Sequence, residues 1–319
     1  MSFRWPTGFP RVPKDEWATQ PVAELAAKYD TVESHGWYEN LDRTVEQLRP
    51  FSGEDRLIMD YSGGTGILED RLFRACPEWK AGILLVDSSP KFLRVALEKF
   101  REDERIGLRW IQYLKSEKRL QTLEEVLAPA IRERGADAIV STNAIHLYYD
   151  LTDTLTSWGR FLRPEGRVFI QSGNIRNPAA GKKEWIIDLT VDAIHHQAME
   201  VVAGKDTYAS IREVLLEEDT MAAADRTRKK YFLPVRPLEF YVSSLSEAGL
   251  AVEEVETRTI PAKVSEWYDF LAVYHEGVLG WVKEVPLRLE LMREAMTVLF
   301  EGRDSFDCCW SYLTCVKKS

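Results

Sequence analysis

One stretch limits what this chain can fold into more than any other. It is Leu57-Ile-Met-Asp-Tyr-Ser-Gly-Gly-Thr-Gly66, an apolar run that ends in a turn of small residues. An apolar run of this length reads as a strand. A turn without bulky side chains lets a ligand lie against the backbone, where N–H groups can reach it. A second apolar run, Gly82-Ile-Leu-Leu-Val-Asp87, ends in a carboxylate about twenty residues further on. An acid at that strand end can accept hydrogen bonds from a ribose diol. Together the two runs predict a site for a nucleoside cofactor.

The rest of the first half alternates in the same manner. Strands are expected at 56–61, 82–87, 108–113, 136–141 and 166–172, with helices at 67–76, 90–102, 120–133 and 151–162 between them. Pro90 suits a first helical turn, and Pro164-Glu-Gly166 suits a tight connection. Strands separated by helices imply a doubly wound, mostly parallel sheet of the α/β class. Ahead of it, Pro6, Pro10 and Pro13 favour an extended arm whose Phe3, Trp5 and Phe9 can pack on a neighbouring surface. Residues 21–49 read as two helices broken near Ser34-His35-Gly36.

After Asn174 the pattern becomes helical over about 180–231, where Ile187, Val191, Ile194, Ala198 and Val202 form one apolar stripe. A helix at 237–248, a strand at 251–259, a helical stretch at 265–300 and a last strand at 308–316 complete the chain. The expected organisation is an arm with lid helices (1–50), a cofactor-binding α/β core (51–178), a helical cap insertion (179–234) and a sheet-completing segment (235–319). That last segment carries a second helical insertion at about 262–300.

Composition narrows the partners. The 319 residues carry a formal net charge of −9, which disfavours binding to a polyanion. The one basic cluster, Arg226-Thr-Arg-Lys-Lys230, suits a helix C-terminus. Cys76, Cys308, Cys309 and Cys315 form no CxxC pair, and no His or Cys spacing matches a zinc site. No metal is expected, and buried free thiols suit a cytoplasmic protein. Nothing resembles a signal peptide or a membrane span, and the oligomeric state is left open.

The turn does not fit a dinucleotide fingerprint, because Glu69 stands where the third glycine belongs and would face a pyrophosphate. No Gly-Lys-Ser/Thr follows it either, so a P-loop is excluded. The segment resembles motif I of the class I S-adenosylmethionine-dependent methyltransferases. Asp60 matches the motif's acid, Gly64 and Gly66 its second and third glycines, and Ser62 replaces the first. Asp87 matches the family's ribose-binding acid and Ser88 the position beside the adenine. Ala136-Asp-Ala-Ile-Val-Ser-Thr-Asn-Ala-Ile-His146 is similar to motif IV, and Phe161–Ile170 to the turn before the fifth strand, with Glu165 where glycine is common. The acid usual after the third strand is missing from Tyr113–Glu117, which leaves the adenine amino contact unassigned.

The resemblance covers about 55–175, with 237–260 and 306–318 as further matches. It implies a seven-stranded Rossmann-like methyltransferase fold with helical caps and S-adenosyl-L-methionine as cofactor. Methyl transfer would go to an oxygen, nitrogen or carbon of a small, apolar or aromatic metabolite. Expected cofactor contacts are Tyr29, Asp60, Ser62, Gly63, Gly64, Gly66, Asp87, Ser88 and Asn143, with Trp37 and Tyr38 as further lid candidates. Candidate catalytic residues are His146, after motif IV, and His195 and His196 in the cap, where Asp192 could orient an imidazole. His275 is a weaker candidate. The rival readings are a methyltransferase-like binding or interaction protein without turnover and, less well matched, a nicotinamide-dependent oxidoreductase.

Overall fold

The computed structural model describes residues 3–148 and 150–318. Seven strands form one sheet: β1 (Leu57–Tyr61), β2 (Gly82–Asp87), β3 (Ile106–Trp110), β4 (Ala136–Thr142), β5 (Leu162–Ser172), β6 (Leu250–Lys263) and β7 (Ser305–Lys317). Their order is β3-β2-β1-β4-β5-β7-β6. Neighbours from β3 to β5 pair in parallel, and β7 runs antiparallel to both β5 and β6. The chain builds outward from β1 to β3 and then returns to the other side of β1 with β4. The crevice above β1 and β4 is thus the switch point where ligands collect in open α/β sheets.

Ten helices matter here: α1 (Glu24–Asp30), α2 (Asp42–Leu48), α3 (Ile67–Ala75), α4 (Pro90–Phe100), α5 (Leu151–Phe161), α6 (Ile187–Gly204), α7 (Glu218–Tyr231), α8 (Leu238–Glu247), α9 (Val264–Val273) and α10 (Val285–Leu299). β1 and β2 are buried at every position, with side chains alternating between two cores. Leu57, Met59, Leu84 and Val86 face α5 and α8, with Trp158 and Leu245 across from them. Ile58, Ile83 and Leu85 face α2, α3 and α4, against Leu48, Leu72 and Leu97. Asp60, two residues beyond Ile58, points to the α3 side by the same alternation.

The two helical insertions share a single core. The stripe Ile187–Val202 on α6 is buried together with Leu291, Met292 and Ala295 of α10 and Trp267 of α9. Trp37 joins them from the N-terminal segment, stacked on Trp310 of β7 at 5.9 Å and 10°. The basic cluster forms the last turn of α7, where Arg228 reaches Asp192 at 3.1 Å and Asp225 at 2.6 Å. Between α1 and α2, residues 31–41 wind as 3-10 turns rather than continuing an α-helix, and Asp206–Leu216 does the same in the cap. The expected helix at 120–133 is split into Leu123–Val126 and Pro129–Arg134, because proline starts the second piece.

The arm packs at the far side of β2 and β3. Phe3 donates its N–H to the Lys80 carbonyl at 3.0 Å, and Leu108 of β3 donates to the Arg11 carbonyl at 2.8 Å, so the arm covers the sheet edge. Gly82 and Gly107 make room for it: a Cβ there would stand 2.3 Å from Phe3 and 2.8 Å from Trp5. All four cysteines are buried and free. Among the described residues no helix is long and apolar enough to cross a membrane.

Candidate functional site

The loop leaving β1 is pinned to the end of β2. Ser62 and Gly63 both donate to the Val86 carbonyl, at 2.7 and 3.3 Å. Gly64 N–H donates to one oxygen of Asp87 at 2.9 Å, and Ser89 N–H to the other at 2.6 Å. The loop is left-handed at Ser62 (φ 66°), Gly64 (φ 59°) and Gly66 (φ 78°). Serine therefore keeps the backbone that glycine adopts freely. Its Oγ lies 3.0 Å from the Tyr148 hydroxyl, which also reaches Ser141 Oγ at 2.9 Å. Gly66 ends the loop and caps α3, and a Cβ there would run into Phe100 at 2.5 Å.

Beneath the loop lies Asp60, fully buried, with Gly63 above it. A Cβ at Gly63 would stand 2.6 Å from Asp60 Oδ2. Glu69, from the first turn of α3, meets Asp60 carboxyl to carboxyl. Apart from Glu69's own backbone N–H, none of the four oxygens has a hydrogen-bond donor among the described residues. Burial raises both carboxyls, Asp60 well above the ordinary range and further so because Glu69 is beside it. Asp87 is also raised by burial, to about 6, although the N–H groups of Ser89, Gly64 and Ser88 work the other way.

Over this end of the sheet Tyr29 stacks on Phe92 of α4, with centroids 4.9 Å apart at 20°. Its hydroxyl contacts that of Tyr38, and Lys99 holds Asp30 at 2.8 Å, fastening the end of α1 to α4. Ser88 is exposed, and its carbonyl accepts from Trp110 Nε1 at 3.1 Å.

Asn143 ends β4 in a left-handed turn (φ 53°), its N–H on the Gln171 carbonyl at 2.8 Å and its Oδ1 buried without a donor. His146 Nε2 accepts from Asn174 Nδ2 at 3.0 Å, which places the ring proton on Nδ1, 3.5 Å from Ser172 Oγ. Burial lowers this imidazole to about 4, so it is neutral. Asn174 Oδ1 in turn accepts the N–H of Asp188, whose buried carboxyl is pushed up to about 7. A polar chain, His146–Asn174–Asp188, thus ties the ends of β4 and β5 to the start of α6. Asn174 and Asp188 gave no signal in the sequence, since Asp188 sits inside an apolar helical stripe.

The cap histidines lie apart from these groups. His195 donates Nδ1–H to the Val278 carbonyl at 3.2 Å, edge-on to Trp281, and burial lowers it to about 4. His196 is exposed against the Asp192 carbonyl at 2.7 Å. The Asp192 carboxylate serves Arg228, so neither imidazole gains the expected carboxylate partner. His275 Nδ1 accepts from Arg288 at 2.8 Å.

Residues 59–170 match a family model described as a methyltransferase domain. No curated protein sequence matches the chain. Among solved structures, the YcgJ protein of Bacillus subtilis is 14% identical, covering 88% of this chain and 99% of its own, with a TM-score of 0.52. Phosphoethanolamine N-methyltransferase 2 of Haemonchus contortus, solved with phosphomonomethylethanolamine and S-adenosylhomocysteine, is 15% identical. It covers 95% of this chain and 60% of its own, at a TM-score of 0.51. At such identities the likeness is one of fold.

Proposed function

We propose that this chain, whose residues 59–170 match a methyltransferase domain, is a class I S-adenosylmethionine-dependent methyltransferase whose acceptor is a small apolar or aromatic metabolite bound under the fused cap. The observation that carries this reading is the set of unspent acceptors around the glycine turn. Asp60, Glu69 and Asn143 Oδ1 are buried without donors from other described residues, and Asp87 closes the turn from the next strand. Such groups suit a ligand rich in donors and positive charge.

The residues present fit the cofactor. Asp87 would take the ribose diol, Asp60 the ammonium group, and the first N–H groups of α3, at the positive end of its dipole, the carboxylate. Tyr29, stacked on Phe92, would cover the nucleoside. When bound, the cofactor supplies a methyl group on a cationic sulfur for in-line displacement. The chain's part is alignment, a contribution of up to roughly 7–11 kcal/mol in favourable intramolecular cases. The aromatic-rich core shared by the cap and β7, with Trp37, Trp267 and Trp310 in contact, favours a flat or apolar acceptor.

On the acceptor side His146 acts through position. Its Nε2 holds Asn174, and Asn174 holds the start of α6 at Asp188. Of these groups Asp188 keeps Oδ2 buried without a partner and, raised by burial to about 7, can take a proton near neutral pH from an acceptor that reaches it. Calorimetry with S-adenosylhomocysteine tests the cofactor half. Absence of binding by folded protein at millimolar ligand rejects it. Methyl transfer from labelled cofactor across a metabolite panel tests the other half. The engaged Nε2 of His146 also favours a second reading, a cofactor-binding protein without turnover, which binding with no transfer to any panel member would support.

A further inference from the structure

The Asp60–Glu69 pair is more than a family acid with a neighbour. Two carboxyls meet inside the protein, and apart from Glu69's own backbone N–H the described residues offer neither a donor. Asp87 and Tyr148 face Asp60, while Lys99 and Asp70 face Glu69. Lys99 is the one cation of that set, and its Nζ is spent on Asp30 at 2.8 Å. Two like charges at contact in a dry interior cannot both persist, so one proton is shared between them. Gly63 leaves the pair covered by backbone alone, since any side chain there would occupy the space against Asp60 Oδ2.

We infer that Glu69 is the second half of an ammonium receptor, and that the cofactor's amino group displaces the proton the two acids share. The inference rests on the functional reading above and deepens it. In the free protein the shared proton satisfies one carboxyl oxygen on each side. An entering ammonium group brings three N–H donors and a positive charge, so both acids become carboxylates and the proton leaves to solvent. No covalent bond to carbon, nitrogen or sulfur changes. The arrangement discriminates between ligands by charge: a diphosphate finds two acids under the turn, whereas an amino acid moiety finds its counter-ions.

The test is calorimetry at pH 7.5 in buffers of different ionisation enthalpy. That pH lies above the about 6 of Asp87, so Asp87 is already ionised. S-adenosylhomocysteine is expected to release about one proton per molecule bound, and its affinity to rise by up to about tenfold per pH unit. Methylthioadenosine, which lacks the amino acid moiety, is expected to release none. In Glu69→Gln the amide donates to Asp60 and fixes it as a carboxylate, so release on binding S-adenosylhomocysteine falls to near zero and the pH slope flattens. Methylthioadenosine affinity stays within about twofold of the wild type, which shows that the turn is intact. Asp60→Asn should likewise abolish release. Proton release that persists in both variants, or is absent from the wild type while binding is intact, overturns the inference alone. No binding of S-adenosylhomocysteine by the wild type overturns the functional reading with it.

Discussion

The Tyr148 hydroxyl stands 3.0 Å from Ser62 Oγ, the one left-handed position of the cofactor turn that is not glycine. The hydroxyl also contacts Ser141 and the Tyr61 carbonyl, so β1, the turn and β4 meet at one oxygen. Serine at 62 costs about 1 kcal/mol of backbone strain relative to glycine. Its bond to Tyr148 returns a similar amount. Ser62→Gly is therefore expected to be near neutral in urea denaturation. Ser62→Ala keeps the strain and loses the bond, at a cost of about 1 kcal/mol. In a Tyr148→Phe background that cost should shrink, and full additivity would show that the contact contributes nothing.

Asp87 links affinity and stability to pH in opposite directions. Its folded-state carboxyl sits near 6, raised by burial. A raised acid favours the folded state below the ordinary carboxylate range, and that contribution is lost as pH climbs through 6. A ribose diol, in contrast, needs the ionised form. S-adenosylhomocysteine should thus bind more weakly as pH falls below about 6, and its thermal stabilisation should be larger at pH 7.5 than at pH 5. Asp87→Asn should weaken binding by about 10–100-fold at neutral pH, the range of a lost charged hydrogen bond.

At the opposite end of β1 the sign reverses. Asp137 is buried, which works to raise it, but Leu57 N–H at 2.9 Å and Arg56 (2.9 Å), Arg134 (3.0 Å) and Arg163 (2.9 Å) outweigh burial and hold it below the usual range. Its contribution is present above the ordinary carboxylate value and lost as pH falls through the lowered one. Asp137→Ala should cost about 3 kcal/mol at pH 7, because three guanidinium groups lose their common partner. The deficit should narrow in acid. Chemical denaturation at pH 7 and pH 3.5 measures both.

His195 separates cap integrity from cofactor binding. It is buried on Trp281 and donates to the Val278 carbonyl, so His195→Ala should cost about 2 kcal/mol through a lost bond and a cavity. The affinity for S-adenosylhomocysteine should not change. A tenfold loss of affinity in protein of normal melting behaviour would instead place His195 within reach of the ligand.

The groups read from the chain are those announced by local chemistry. Asp60 and Asp87 stood out because each ends an apolar strand, and the glycines because only a ligand or a tight turn explains three of them together. The apolar stripe of α6 was visible at helical spacing, and all five of its residues are buried. Other features depend on distant partners and leave no local pattern. Trp37 packs on Trp310, and Asn174 joins His146 to Asp188 across three separate elements. Glu69 was visible as an obstacle to a diphosphate, but its contact with Asp60 needs the α3 turn to bring it back over β1. The 3-10 windings at 31–41 and 206–216 replace expected α-helix where side-chain packing, rather than propensity, sets the backbone.

The last strand lies inside the sheet, between β5 and β6, and not at an edge. β6 therefore has no strand to pair with until the thirteen residues Ser305–Lys317 have been synthesised. On the ribosome, the nucleoside half can condense early, while β6 waits for the strand that seats it. Loss of Ser305–Lys317 would thus do far more damage than its length suggests. It would remove the wedge that joins two parts of the molecule, leaving β5 and β6 as open edges ready to pair with other chains.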